Sequence, residues 1–268
     1  LIFFIICSLF LYGCSNKTDE KFVANSGDID LQMIGLYQEG LETFNKGFYL
    51  EAAEKFVDAE NVYPQSIWAP KSLLMAAYSF YYDGYFQDSI FQLEKYIKLY
   101  PFDNNLSYAH YLLAMSHYGN IIDEKKDSRP IIEAKNKFLI VINKFPNSEY
   151  AEDSKFKLDL INELLASKEM YLVRYYMKKE KWIPAINRLK LIIKDYESTV
   201  YVEEALHRLV EVNYKIGLED EAKKYAVLLG HNYPESNWFL QSYKIFEKKE
   251  INKKDKIFKN NKSKPKKL

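Results

Sequence analysis

The sequence predicts an all-α solenoid of about five helix-turn-helix repeats, and three observations carry that expectation. A small residue followed by residues at +4 and +7 recurs five times, with a closing residue at +12. These offsets keep the side chains on one helical face, and a proline at the end stops the helix. A short turn containing Gly or Lys precedes four of the five recurrences. Gly and Pro are scarce, nine and eight among 268 residues, which argues against collagen-like chains, turn-rich sandwiches and propellers. Aromatic residues at 16% exclude a disordered chain.

Residues 1–13 are almost wholly apolar. They are too few to span a bilayer, which takes about 20, and they fit the apolar core of an export signal. Leu11-Tyr12-Gly13-Cys14 resembles the bacterial lipobox, in which a lipidated cysteine becomes the mature N-terminus. Cys14 is therefore the expected site of lipidation, palmitate included. A plain export signal with an incidental cysteine is the competing reading. Ser15 is not the Asp that holds enteric lipoproteins at the inner membrane, so the expected location is the periplasmic face of the outer membrane. With Cys7 removed and Cys14 lipidated, no disulfide forms within the mature chain. Residues 14–30 are polar and unpatterned, and are expected to form the lipid anchor and a flexible tether.

The repeats follow, over residues 31–243. Ala52, Phe56, Ala59 and Pro64 form the first copy; Ser89, Leu93, Tyr96 and Pro101 the second; Ala134, Phe138, Val141 and Pro146 the third. The fourth is Ala185, Leu189, Ile192 and Glu197, with Glu where Pro is expected, and the fifth is Ala222, Ala226, Leu229 and Pro234. The turns before them are Lys46-Gly47-Phe48, Asp83-Gly84-Tyr85, Lys179-Glu180-Lys181 and Ile216-Gly217-Leu218. Successive copies lie 37, 45, 51 and 37 residues apart. Tetratricopeptide repeats use about 34, so the array is expected to be tetratricopeptide-like with two insertions. One falls near 120–128, and the other makes an extra or lengthened helix over 151–168. Each helix pair holds too little core to stand alone, so stacking must bury the rest. Residues 244–268 carry 11 Lys against three acids and are expected to be a disordered basic tail. That leaves a mildly acidic body, which makes nucleic acid an unsuitable partner.

The chain holds no Gly-rich phosphate loop, no HExxH and no Cys-x-x-Cys. The spacing of His110, His117, His207 and His231 places no ligand set. Neither catalysis, a metal nor a cofactor is expected. Repeat register instead predicts a groove on the first helix of each pair. Its residues are Ile34, Tyr37, Leu41 and Phe44, then Lys71, Leu74, Tyr78 and Tyr81, then Tyr108, Tyr111, Met115 and Tyr118. The last two repeats contribute Ser167, Met170, Arg174 and Met177, then Glu204, His207, Glu211 and Tyr214. The N-terminal groove is thus aromatic and suits an extended apolar-aromatic peptide, with Tyr37, Phe44, Tyr78, Tyr81, Tyr108 and Tyr111 as candidates. Inter-repeat packing is the plainer use of the same rings. Four Arg stand among 34 Lys, and Arg174, Arg188 and Arg208 all fall in the last two repeats. Guanidinium groups bind carboxylates in bidentate fashion, across an interface or within the repeat itself.

A motif after the second helix recurs as Pro64-Gln65-Ser66-Ile67-Trp68-Ala69, Pro146-Asn147-Ser148-Glu149-Tyr150-Ala151, Glu197-Ser198-Thr199-Val200-Tyr201 and Pro234-Glu235-Ser236-Asn237-Trp238. Together with Tyr108-Ala109-His110-Tyr111, Asp127-Ser128-Arg129-Pro130, Arg174-Tyr175-Tyr176 and Ala185-Ile186-Asn187-Arg188, in that order, the chain resembles the BamD family from about residue 33 to 239. These are tetratricopeptide lipoproteins of the outer-membrane β-barrel assembly (BAM) machinery. The resemblance implies a non-catalytic protein that receives unfolded outer-membrane proteins in its N-terminal half, about 31–150. The half at about 151–243 would dock a POTRA domain of the barrel protein BamA. Arg174, Arg188, Lys194 and Arg208 are the docking candidates, and further BAM lipoproteins are additional candidate partners. Glu197 replaces a family Pro and Lys194 a frequent Arg. The alternative is a repeat scaffold lipoprotein that organises cell-wall synthesis or envelope constriction.

Overall fold

The computed structural model describes residues 26–121 and 127–247. Ten helices run in chain order: α1 Ser26–Asn45, α2 Tyr49–Val62, α3 Ala69–Tyr82, α4 Phe86–Leu99, α5 Leu106–Gly119, α6 Arg129–Lys144, α7 Glu149–Lys178, α8 Trp182–Asp195, α9 Tyr201–Lys215 and α10 Glu219–Asn232. A final helical stretch, α11, covers 237–247. No strand occurs among the described residues. Each helix packs against its chain neighbours, and α3–α5, α5–α7 and α7–α9 touch as well. That is a stacked solenoid of tetratricopeptide type, with α1, α3, α5, α7 and α9 as the first helices of the pairs.

The recurrent spacing marks the core. Ala52, Phe56 and Ala59, then Leu93 and Tyr96, then Ala134, Phe138 and Val141, and Ala185, Leu189 and Ile192 are all fully buried. The small residue admits the facing helix closely. In the second repeat that residue is Ser89, whose hydroxyl donates to the Ala77 carbonyl at 2.9 Å and shares a 3.0 Å hydrogen bond with Ser116. A buried hydroxyl is tolerated there because it is satisfied. The first-helix partner must sometimes be small too. A Cβ at Gly119 would sit 2.5 Å from the Phe86 ring, and one at Gly40 2.8 Å from Phe56.

The turns within pairs need left-handed backbone. Gly47, Gly84 and Gly217 have φ of 88°, 81° and 86°, and Glu180 takes φ 55° where the fourth repeat lacks glycine. The recurring Pro-x-Ser motif starts the next helix. Ser66 Oγ accepts from the Trp68 amide at 3.3 Å, Ser148 Oγ from the Ala151 amide at 3.2 Å, and Ser236 Oγ from the Trp238 amide at 3.1 Å. Each satisfies a backbone donor at a helix start that has no partner within the helix.

Two expectations are corrected and one is narrowed. Helix α1 begins at Ser26, so the supposed tether loses residues 26–30. Met33 is buried there, and Asp30 accepts a 3.1 Å hydrogen bond from Ser66, ties that a polar stretch concealed. Of the two readings of the second insertion, the lengthened helix holds: α7 runs 30 residues without a break. At the other end α11 carries helix past the expected boundary at 243, because Trp238, Phe239 and Ser242 have partners on α9 and α10. Residues 1–25, Cys14 among them, and 248–268 lie outside the described residues. Among the described residues no helix is long and apolar enough to cross a membrane.

Candidate binding surfaces

Three successive first helices meet around one hollow. Tyr37 comes from α1, Lys71, Leu74, Met75 and Tyr78 from α3, Tyr108 from α5, and Asn105 from the position just before α5; together they line about 320 Å³. The rings are braced from behind. Tyr37 packs on Phe56 and Trp68 at centroid distances of 5.3 and 5.6 Å, and Tyr108 on Tyr150 at 5.4 Å. The Lys71 ammonium lies 4.6 Å from the centre of the Trp68 ring, leaving one cation at the rim. Burial raises the pKa of the Tyr108 phenol well above its ordinary value, so it stays a neutral donor.

The other aromatic candidates are packed differently. Phe44 sits between Tyr49, Tyr78 and Tyr82 at 5.0, 5.7 and 6.0 Å, extending the ring cluster toward the turn. Tyr81 leans on Phe86 at 5.7 Å and joins the core below. Tyr111 stacks on Tyr150 at 5.2 Å and donates to Asp153 at 2.7 Å. So Tyr37, Tyr78 and Tyr108 share the hollow, while Tyr81 and Tyr111 are committed to neighbours.

The basic candidates also have partners. Arg174 Nη2 donates to Glu204 at 2.7 Å, and Arg208 donates to Glu204 at 3.3 Å and Glu211 at 2.6 Å. The Glu204 side chain is 9% exposed, so both guanidinium groups neutralise one nearly buried carboxylate. The Arg208 guanidinium also lies 5.4 Å from the Trp238 ring centre on α11. Arg188 Nη1 donates to Glu169 at 2.6 Å. Arg188 nevertheless lines a second hollow of about 430 Å³ with Tyr176, Ile183, Pro184, Asn187 and Leu191. Ile183 is 73% exposed there. Lys194 is exposed on the last turn of α8.

Register failed at three groove positions, one of them Glu204, buried beneath Arg174 and Arg208. Met170 is fully buried, packed with Val173, Leu189 and Ile192. His207 is 2% exposed because α11 covers it: Ser242 hydrogen-bonds its Nδ1 at 2.8 Å and Trp238 lies 5.1 Å away. Residues not anticipated include Met75 and Asn105 in the first hollow and Ile183 and Leu191 in the second. Asn immediately before an apolar helical run was a usable capping signal for Asn105. Nothing local marked the others. Among the described residues no cluster of His, Cys, Asp and Glu could hold a metal ion.

Residues 29–228 match the YfiO family model, described as an outer membrane lipoprotein. The chain is 39% identical over 241 residues to the outer membrane protein assembly factor BamD of Rickettsia prowazekii, covering 90% of this chain and 94% of that one. It is 33% identical to the BamD of Caulobacter vibrioides, covering 87% and 75%. Among solved structures it is similar to a thermophilic TPR protein of Thermus thermophilus, at 15% identity and a TM-score of 0.38, covering 79% of this chain and 97% of that one.

Proposed function

The chain belongs to the BamD family of outer membrane protein assembly factors, and on that premise we propose that it is a lipid-anchored, non-catalytic receiver with two working surfaces. The hollow across α1, α3 and α5 takes extended apolar-aromatic segments of unfolded outer-membrane proteins. The hollow around Arg188 and Ile183, with Lys194 nearby, docks a POTRA domain of BamA. Cys14 carries the lipid that holds the chain at the periplasmic face of the outer membrane.

The observation that carries the client reading is the convergence of Tyr37, Tyr78 and Tyr108, from three different repeats, on one open hollow. Tyr rings offer contact area at small entropic cost, and the Lys71 rim suits a peptide carboxylate. The docking reading narrows to Arg188 and Lys194, because Arg174 and Arg208 serve Glu204. Arg188 combines a cation with exposed apolar neighbours, the composition of a partner surface.

The two surfaces are tested against each other. Tyr78→Ala with Tyr108→Ala should weaken crosslinking to barrel-protein segments, by about 1 kcal/mol or more per ring, and spare POTRA binding. Arg188→Glu should do the reverse. Ile183→Ser, which leaves the Arg188–Glu169 pair intact, should also weaken POTRA binding. Loss of both activities in either variant, with the fold intact by circular dichroism, would sink the division of labour.

A further inference from the structure

The loops that start the first helices form one edge of the solenoid, and the chain enters on that edge at Ser26. Side chains there are held in place. Ser66 donates to Asp30 near the start of α1 at 3.1 Å, and Tyr100 donates to the Pro64 carbonyl at 3.1 Å. Asp103 accepts from the Tyr96 hydroxyl and from the Asn105 amide at 2.8 Å. From this pinned frame two large apolar side chains stand out into solvent, Ile67 at 83% exposure and Phe102 at 97%. Leu31, early in α1, is 69% exposed. Uncharged Gln65, Asn104 and Asn105 are exposed beside them; of the acids on this edge, Asp30 and Asp103 hold the hydrogen bonds above and Asp28 is exposed at the start of α1.

The opposite edge differs. Phe48 is also exposed, but the hollow it shares with Tyr49 and Leu50 carries three acids, Glu51, Glu54 and Asp83. An anionic surface disfavours phospholipid carrying the same charge. The two edges are separated by the length of α1, 20 residues or about 30 Å.

We infer that the edge carrying the start of α1 is a lipid-facing surface, with Ile67 and Phe102 entering the headgroup region of the phospholipid leaflet that holds the anchor. This rests on the lipid-anchored reading above. Eleven residues lie between Cys14 and Ser26, a reach of at most about 40 Å, so the anchor keeps this edge near the leaflet. Two apolar side chains bind a membrane only weakly by themselves. Tethered at high effective concentration, they suffice to orient the body. Val200, the counterpart of Ile67 before α9, is 75% exposed, while Glu149 and Asn237 fill that position before α7 and α11. Contact is therefore strongest at the anchored end.

The test uses the full lipidated chain in vesicles of phosphatidylethanolamine and phosphatidylglycerol brominated high on the acyl chain. Phe102→Trp and Phe48→Trp are read against the parent, whose Trp68, Trp182 and Trp238 set the background. Flotation reports the anchor, and bromine quenching reports the edge. Phe102→Trp should lose about half or more of its added emission, and Phe48→Trp almost none. A chain that floats with both positions quenched alike, or with neither quenched, overturns the edge assignment alone. A chain that does not float overturns the anchored reading, and this assignment with it.

Discussion

In the first three repeats the first helices meet through rings: Phe44 with Tyr78, Tyr37 with Trp68, Tyr111 with Tyr150. In the last two a charge cluster is added to the apolar contacts of Val173 with Ala205 and Leu209: Arg174 on α7 and Arg208 on α9 share Glu204. The scaffold positions are equivalent, but the forces are not. Rings attract over broad geometries and can be half exposed without penalty, so they also make an adaptable binding wall. A buried carboxylate tolerates one arrangement of donors, so it fixes how α7 and α9 sit and removes those donors from outside use.

The largest effect should come from stripping that carboxylate. Arg174→Ala with Arg208→Ala leaves Glu204 nearly buried and unpaired, and should cost about 2–3 kcal/mol in a denaturant melt. Arg174 is 56% exposed, which keeps the figure below that of a fully buried pair. An unchanged melt would erase the contrast between the halves. Gly119→Ala tests the ring side. Its new methyl would strike the Phe86 ring, and the loss should be about 2 kcal/mol. A neutral result would mean that α4 and α5 are looser than the rings imply.

Acid should weaken both halves through their buried histidines. Burial, with Lys144 and Lys137 nearby, lowers the His110 pKa to about 4. Unfolded histidine titrates near 6.5, so on acidification the unfolded chain takes up the proton first. The stability from neutral His110 is complete above about pH 6.5 and is lost as pH falls toward about 4, by about 1–2 kcal/mol. His110→Gln should flatten that stretch of a stability-versus-pH curve. Burial lowers the His207 pKa as well, with Glu211 at 3.7 Å opposing part of that shift, so the C-terminal half loses stability on acidification in the same direction. The smallest effect is a gain. Glu180→Gly relieves a left-handed backbone and should raise stability by about 0.5 kcal/mol, visible as a slightly higher melting midpoint.

The periodic part of this architecture was legible. Each small residue at +0 with partners at +4 and +7 had to lie on one helical face, and the structure buries most of those residues. Three of the four turns showed themselves by glycine. The unbroken α7 was legible too in hindsight, since no Gly or Pro occurs from Glu149 to Lys178. The Glu204 site was not. Its Arg174 donor lies 30 residues away, and a sequence pattern lists charges without saying which of them meet. For the same reason Tyr81 and Tyr111 looked equivalent to Tyr78 and Tyr108. Register names a face, and only the neighbours Phe86 and Asp153 decide that a ring is already spoken for. The ends failed for another reason: α1 before residue 31 and α11 beyond 243 are polar helices secured by one or two tertiary contacts each.

Helix α7 holds the two surfaces in a fixed phase. At 30 residues it is about 45 Å long, with Ile161 and Leu165 set in one core and Met170 and Val173 in the next. A rod with no joint transmits rotation as well as distance. One residue inserted between those cores would swing everything downstream by about 100° and shift it by about 1.5 Å. The angle at which the hollow across α1, α3 and α5 faces the hollow around Arg188 is thus written into a residue count, and insertions can retune it only in steps near a helical turn.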